Sequence, residues 1–198
     1  MARTWVKLQR PASVNQSLIF LNEPVEGWKA GDRIILTGTT RHLGYGGTFV
    51  ESVRDQPSTE ERTIAKLAIS QFNGVPSLTL DAPLKFDHRV IEDYRGEVAN
   101  LSRNVIVESA DPNGVRGHVM YHKRSAGSVG YAEFRHLGKR GVLGRYSLHF
   151  HLAGDSMRGA SVVGASIWDS ANRWITIHGT NYLVVRDCVG YQSVSHGF

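Results

Sequence analysis

From about Gly96 onward the chain is a succession of short apolar segments spaced by Gly, Asn, Asp and Ser: VANLSRNVIVES, GHVMYH, GYAEFRHL, YSLHFHL, ASVVGASIWDS, RWITIHG and YLVVRDCVGY. They read as short strands, and none carries a sustained helical period. The segments also repeat. VVGASIWDSANRW superposes on VVRDCVGYQSVSH with Ile167 over Val189, 22 residues apart. The same register sets Phe134 over Ile167, 33 residues apart, with GKRGVLGR as an inserted half rung. One such strand repeat cannot bury its own apolar face, and it must stack coil upon coil to do so. An all-β chain ending in a right-handed parallel β-helix over residues 96–198 is therefore expected.

The stretch RYSLHFHLAGD then acquires a meaning. Neighbouring side chains of a strand point to opposite faces, so Leu148 and Phe150 share one side while His149 and His151 share the other. Aligning this strand with RWITIHG sets Leu148 over Ile175, Phe150 over Ile177, His149 over Thr176 and His151 over His178. Apolar residues stack on apolar residues, which makes that side the core and turns the histidines outward. Rungs lie about 4.8 Å apart and same-face neighbours about 6.5–7 Å apart, so His149, His151 and His178 gather on one patch. His196, in register with Trp174, and Arg145 share the outward parity, and Asp155 follows in the turn.

Three imidazoles at this spacing suit a divalent metal ion, which makes His149, His151 and His178 candidate ligands. They equally suit proton transfer near neutral pH. His151 and His178 are then the candidate acid and base, Arg145 a partner for an acidic sugar, and Asp155 a carboxylate that orients an imidazole. Trp174, His196 and Tyr146 are candidate substrate-binding residues, Tyr146 also offering a proton-donating hydroxyl. Trp168, Trp174, Tyr182 and Tyr191 could form a sugar-stacking platform, although aromatics in β-coils also cover cores and fill turns. Asp169 and Asp187 occupy turn-like positions that suit local backbone bonds. A polar ladder bonded to loop backbone is the plain alternative for the histidines.

Residues 1–95 read as a strand-rich region, barrel-like or an early part of the β-helix, through TWVKL, SLIFLN, DRIILTGT, TFVESV, ERTIAKLAI and SLTLDAPL. In WKAGDRIIL, Gly31 takes the tight turn and Asp32 bonds nearby amides. STEERTIAKLAI has a helical capping pattern, but β-branched Thr63, Ile64 and Ile69 favour a strand. Gly44-Tyr45-Gly46-Gly47 lacks the strand-to-helix setting of a phosphate loop and reads as a turn.

A net charge of +5 favours an anionic partner such as an acidic polysaccharide or nucleic acid, but the basic residues are scattered, match no nucleic-acid motif and read for the most part as a solvated surface. The lone Cys188 leaves no internal disulfide and suits a small buried position. No apolar run reaches the ~18 residues of a membrane span, and Met1–Trp5 does not open a signal peptide. A parallel coil needs its ends covered, so further rungs, a capping loop or self-association is expected at the open edge.

The blocks WKAGDRIILTGT, GEVANLSRNVIVES, LGRYSLHFHLAGD, SIWDSANRWITIHGTNYLVVRDCVGY and SHGF resemble, in order, segments of the cell-surface and secreted hyaluronidases and of the fibrocystin-like proteins, which pair an eight-glycine domain with a parallel β-helix. The resemblance runs from about Trp28 onward, and HFHLAGD with HGTNYLVVRD is its most specific part. It implies an extracellular or cell-surface protein and, for some members, depolymerisation of hyaluronan. Other members would correspond to a non-catalytic carbohydrate-binding, adhesion or structural segment. Glycosidases ordinarily use two carboxyls that flank the bond, and this sequence offers no convincing pair.

Overall fold

A computed structural model describes residues 3–39, 58–69 and 74–198. TFVESV and the Gly44–Gly47 turn lie outside the described residues. The chain divides into two units, Met1–Asn100 and Leu101–Phe198. Among the described residues the only helical turn is a 3-10 segment at Asp155–Met157, and no helix is long and apolar enough to cross a membrane.

The first unit holds β1 (Trp5–Lys7), β2 (Leu18–Phe20), β3 (Arg33–Leu36), β4 (Glu60–Ile69), β5 (Pro76–Leu80), β6 (Val90–Ile91), β7 (Tyr94–Arg95) and β8 (Glu97–Asn100). Six of them form one antiparallel sheet in the order β1-β8-β3-β4-β5-β2, and a bridge between Leu8 and Leu21 joins its two edges. STEERTIAKLAI is a strand, since β4 must pair with both β3 and β5. Period two along β4 turns Glu60, Arg62 and Ile64 inward, and Ile64 packs with Leu36, Leu78 and Val98. Gly31 has φ +90°, and the Asp32 carboxylate accepts from the Lys29 amide at 3.0 Å, as the turn chemistry requires.

The second unit is a parallel β-helix. Its strands are β9 (Val105–Glu108), β10 (Val119–His122), β11 (Val129–Gly130), β12 (Ala132–Arg135), β13 (Leu148–Gly154), β14 (Ser161–Val163), β15 (Ser166–Ser170), β16 (Ile175–Thr180), β17 (Val184–Arg186) and β18 (Val189–Ser193). They stack as three parallel sheets, β10-β13-β16, β11-β14-β17 and β9-β12-β15-β18, which makes about three turns. Leu148, Phe150, Val162, Ile167 and Ile175 fill the interior. Tyr121 stacks on Phe150 one rung away at 4.8 Å, the inter-strand spacing itself.

The registers Phe134–Ile167, Leu148–Ile175, Phe150–Ile177 and His151–His178 are as the sequence predicts. One differs: Ile167 pairs with Gly190, one residue beyond Val189. Gly190 accommodates Trp174, which lies in the bend before β16 and whose indole is so close that an added Cβ would meet ring carbon Cε3 at 2.3 Å. The indole thus occupies the space that a side chain at position 190 would have taken.

Candidate functional site

The imidazole group is built by β10, β13 and β16, which stack His122, His151 and His178 in register across three rungs. His122 and His151 are stacked at 5.3 Å with planes 19° apart, and His151 lies 5.0 Å from His178. His149, two residues along β13 on the same side, has its ring 4.9 Å from that of His151. One nitrogen from each of His149, His151 and His178 falls within 4.8 Å of the others.

The side carrying these rings is not uniformly wet. His149 is only 3% exposed, because Tyr146 meets its ring edge-on at 4.8 Å and the loop Gly138–Arg145 folds against it. The Nδ1 of His149 lies 2.9 Å from the Gly144 carbonyl, which can only accept, so Nδ1 carries the proton and Nε2 keeps a bare lone pair. That Nε2 is buried and has no hydrogen-bond partner. Burial first, and then the neighbouring His151, His178 and Arg145, which disfavour a further charge, hold His149 below the usual histidine range despite its bond to Gly144. His151 is shifted the same way, by desolvation, then by His178 and His122.

An orphaned imidazole nitrogen beside two others is what a metal site with open positions needs. The Nδ1 atoms of His151 and His178 are 3.1 Å apart, near the ~3.3 Å edge of a tetrahedron drawn with zinc–nitrogen bonds of about 2.0–2.1 Å. Neutral rings are also the form that binds metal. Without an ion, the same 3.1 Å contact requires one Nδ1 to donate and the other to accept, so a proton donor and a proton acceptor stand side by side.

The remaining candidates are distributed as follows. Arg145 lies close enough to His149 and His118 to disfavour their charged forms, and its guanidinium makes no ion pair among the described residues. Asp155 opens the 3-10 turn, and its carboxylate accepts from the Asn181 amide at 2.8 Å; it stands outside the imidazole group. Tyr146 is buried between His149 and Arg173, whose guanidinium lies 4.9 Å over its ring. Trp174 covers Gly190 and Gly197 and meets Phe198 edge-on, a core-capping position. His196 is exposed beside the Ser195 hydroxyl, 3.3 Å away. Trp168 is buried and donates to Glu133, while Tyr182 lies under the Arg158 guanidinium.

Cys188 is half-buried, and burial raises its thiol. Asp169 does more than close a turn: it accepts from His136 at 2.6 Å and from Arg116 at 2.9 Å. His122 escapes a search for paired histidines. Its signal is the alignment of Val119-Met120-Tyr121-His122 with Leu148-His149-Phe150-His151.

Residues 114–198 match the CEMIP beta-helix family model. All the imidazoles described above fall within the matched residues. Over nearly the whole chain, human Fibrocystin-L is 28% identical, covering 95% of this chain and 5% of its own length. Human cell surface hyaluronidase CEMIP2 is 30% identical, covering 90% of this chain and 13% of its own. The resemblance read from the sequence is thereby shown. The chain spans a small part of these relatives. Among solved structures, the tailspike protein gp49 of Pseudomonas phage LKA1 aligns with 97% of this chain and 37% of its own, at 12% identity and a TM-score of 0.34.

Proposed function

We infer that this chain is the glycan-engaging segment of an extracellular or cell-surface protein that depolymerises hyaluronan or a related acidic polysaccharide. The observation that carries the reading is the buried, partnerless Nε2 of His149 next to the His151–His178 pair. A stable core has no use for an unsatisfied polar atom, and burying one costs about 1–3 kcal/mol. The hyaluronidase names of relatives such as CEMIP2 supply the substrate class.

In this reading His151 and His178 exchange a proton with the sugar, Arg145 holds a uronate carboxylate, and Tyr146 orients His149. Tyr146 with Trp174 and His196 borders the bound chain, while Asp155 fixes the turn after β13 through Asn181. His149, His151 and His178 would hold a divalent metal ion. When bound, the ion would supply Lewis-acid polarisation of a sugar oxygen or an activated water. No carboxylate belongs to the group among the described residues, which favours imidazole or metal-assisted chemistry over a two-carboxylate hydrolase.

The test is hyaluronan chain length after incubation with the protein, together with the metal content of the purified sample. Loss of cleavage in His151→Ala and His178→Ala, and loss of bound metal in His149→Ala, are the expected results. Full cleavage in both activity variants would remove the imidazoles from the mechanism. The second reading, a binding or adhesion module, is favoured by the Fibrocystin-L match and predicts retention of hyaluronan without shortening.

A further inference from the structure

Beside the imidazole group the loop Gly138–Arg145 builds a second feature. It is held from below by Asn172, which is buried and donates through Nδ2 to the carbonyls of Lys139 and Val142 at 2.9 and 3.1 Å. Gly138, at φ +82°, lets the loop start there, since a Cβ would stand 3.1 Å from the Asn172 nitrogen. Two grooves flank this loop. One, of about 340 Å³, is walled by Tyr146, Asn172, Arg173 and Ser195. The other, of about 600 Å³, is walled by Arg116, Lys139, Arg140 and Asp169. Both include Val142, Ala171 and Val194, so they run into one another.

The charges in this trough do not cancel. Its one carboxylate, Asp169, is taken by Arg116 and His136, and these donors hold it below the usual carboxylate range although burial pushes the other way. Arg116 is spent in turn on Asp169 and on the Pro112 and Asp169 carbonyls. Lys139, Arg140 and Arg173 make no ion pair among the described residues, and the Arg173 guanidinium lies over the Tyr146 ring face. Three unneutralised cations in a concave surface concentrate field on whatever lies in it. The trough ends against Tyr146, whose other contact is His149.

We propose that this trough is an extended binding cleft for the carboxylates of an acidic polysaccharide, through which the chain reaches the imidazole group by way of Tyr146. Lys139, Arg140 and Arg173 meet successive acidic sugars, and Tyr146 with Arg173 forms the step between cleft and histidines. The proposal rests on the glycan reading above but assigns residues that the reading does not need. It makes chain length the property that the cleft senses. A short oligosaccharide occupies only the imidazole end, and a long one also fills the trough.

The experiment is calorimetric binding of a hyaluronan tetrasaccharide and of a long hyaluronan fragment to the full chain, with neutral dextran as control. The variants are Lys139→Ala/Arg140→Ala/Arg173→Ala and, with the Tyr146 contact intact, Lys139→Glu/Arg140→Glu. Three partly exposed ion pairs correspond to about twenty-fold in affinity, so the long fragment should weaken by that factor in the triple variant while the tetrasaccharide is unchanged. The advantage of the long fragment should also fall steeply with salt. Equal weakening of both lengths, or no change in either variant while His178→Ala still abolishes cleavage, overturns the cleft and leaves the histidine reading standing. Failure of the unmodified protein to bind either fragment overturns both.

Discussion

Each unit of the chain buries a titratable side chain, and the two treat it in opposite ways. In the antiparallel unit, the Glu60 carboxylate accepts from the amides of Lys85 and Phe86 at 2.9 and 2.8 Å, from His88 Nε2 at 3.2 Å and from the Arg62 guanidinium. His88 also meets the Thr37 carbonyl through Nδ1 at 2.9 Å. In the β-helix, His149 is tied at one nitrogen and left open at the other. Both oxygens of the Glu60 carboxylate are taken, although the Arg62 Nε in the same cluster has no hydrogen-bond partner. The contrast is therefore between a carboxylate with every oxygen bonded and an imidazole with one nitrogen bare.

The largest expected effect follows from breaking the Glu60 network. Glu60→Ala removes the carboxylate that a buried guanidinium, an imidazole and two amides share, and should destabilise the protein by about 3–5 kcal/mol in denaturant unfolding. His178→Ala, an exposed ring in the open group, should stay within about 0.5 kcal/mol. The two variants thus set the limits of the comparison, and similar losses for both would break it.

The same carboxylate sets a pH response. Burial pushes Glu60 up, but the bonds from Lys85, His88 and Phe86, then the charge of Arg62, outweigh it and leave the group below its ordinary 4.5. A carboxyl lowered in the folded state contributes stability that is fully present above the unfolded value and is lost as pH falls through the folded one. Hydrogen exchange should therefore show the protection of β4 weakening below about pH 4.5. In Glu60→Gln that acid-dependent step should disappear, and its persistence would assign the response to other carboxyls.

Next in size is the response to metal, which should act on one unit alone. Zinc at a hundred-fold excess over its dissociation constant should stabilise the β-helix by about 2.7 kcal/mol. Exchange protection should rise in β10, β13 and β16, remain level in β3, β4 and β8, and revert to the metal-free pattern in His149→Ala. Equal protection of both units by zinc would mean binding elsewhere.

The parts legible in sequence are those set by local period and by identical rungs stacking. Leu148 over Ile175 and His151 over His178 need only alternation and a self-alignment. Burial of Glu60 and Arg62 was equally available, since both share the parity of Ile64 along β4, but charged residues discourage that reading. The slip at Gly190 was not available, because the packing of Trp174 from the bend before β16 onto Gly190 is a contact between segments distant in sequence. Nor was the burial of His149, which depends on Gly144 and Tyr146 closing over an outward face. Apart from His122 on β10, what escaped the sequence at the site is what the Gly138–Arg145 insertion contributes.

That insertion yields the smallest effect and the sharpest one. Asn172→Ala removes both bonds that hold the loop, a loss of about 1–2 kcal/mol confined to the β-helix. The Gly144 carbonyl rides on this loop, so His149 should lose the partner that keeps its proton on Nδ1, and zinc should bind several-fold more weakly without any ligand having been changed. Calorimetric zinc titration of Asn172→Ala against Asn172→Asp separates this from simple loosening, because the aspartate fills the same volume but cannot donate to the Lys139 and Val142 carbonyls. Weaker zinc binding in both variants ties the open group to its loop; unaltered binding in both would show that His149 is held by Tyr146 alone.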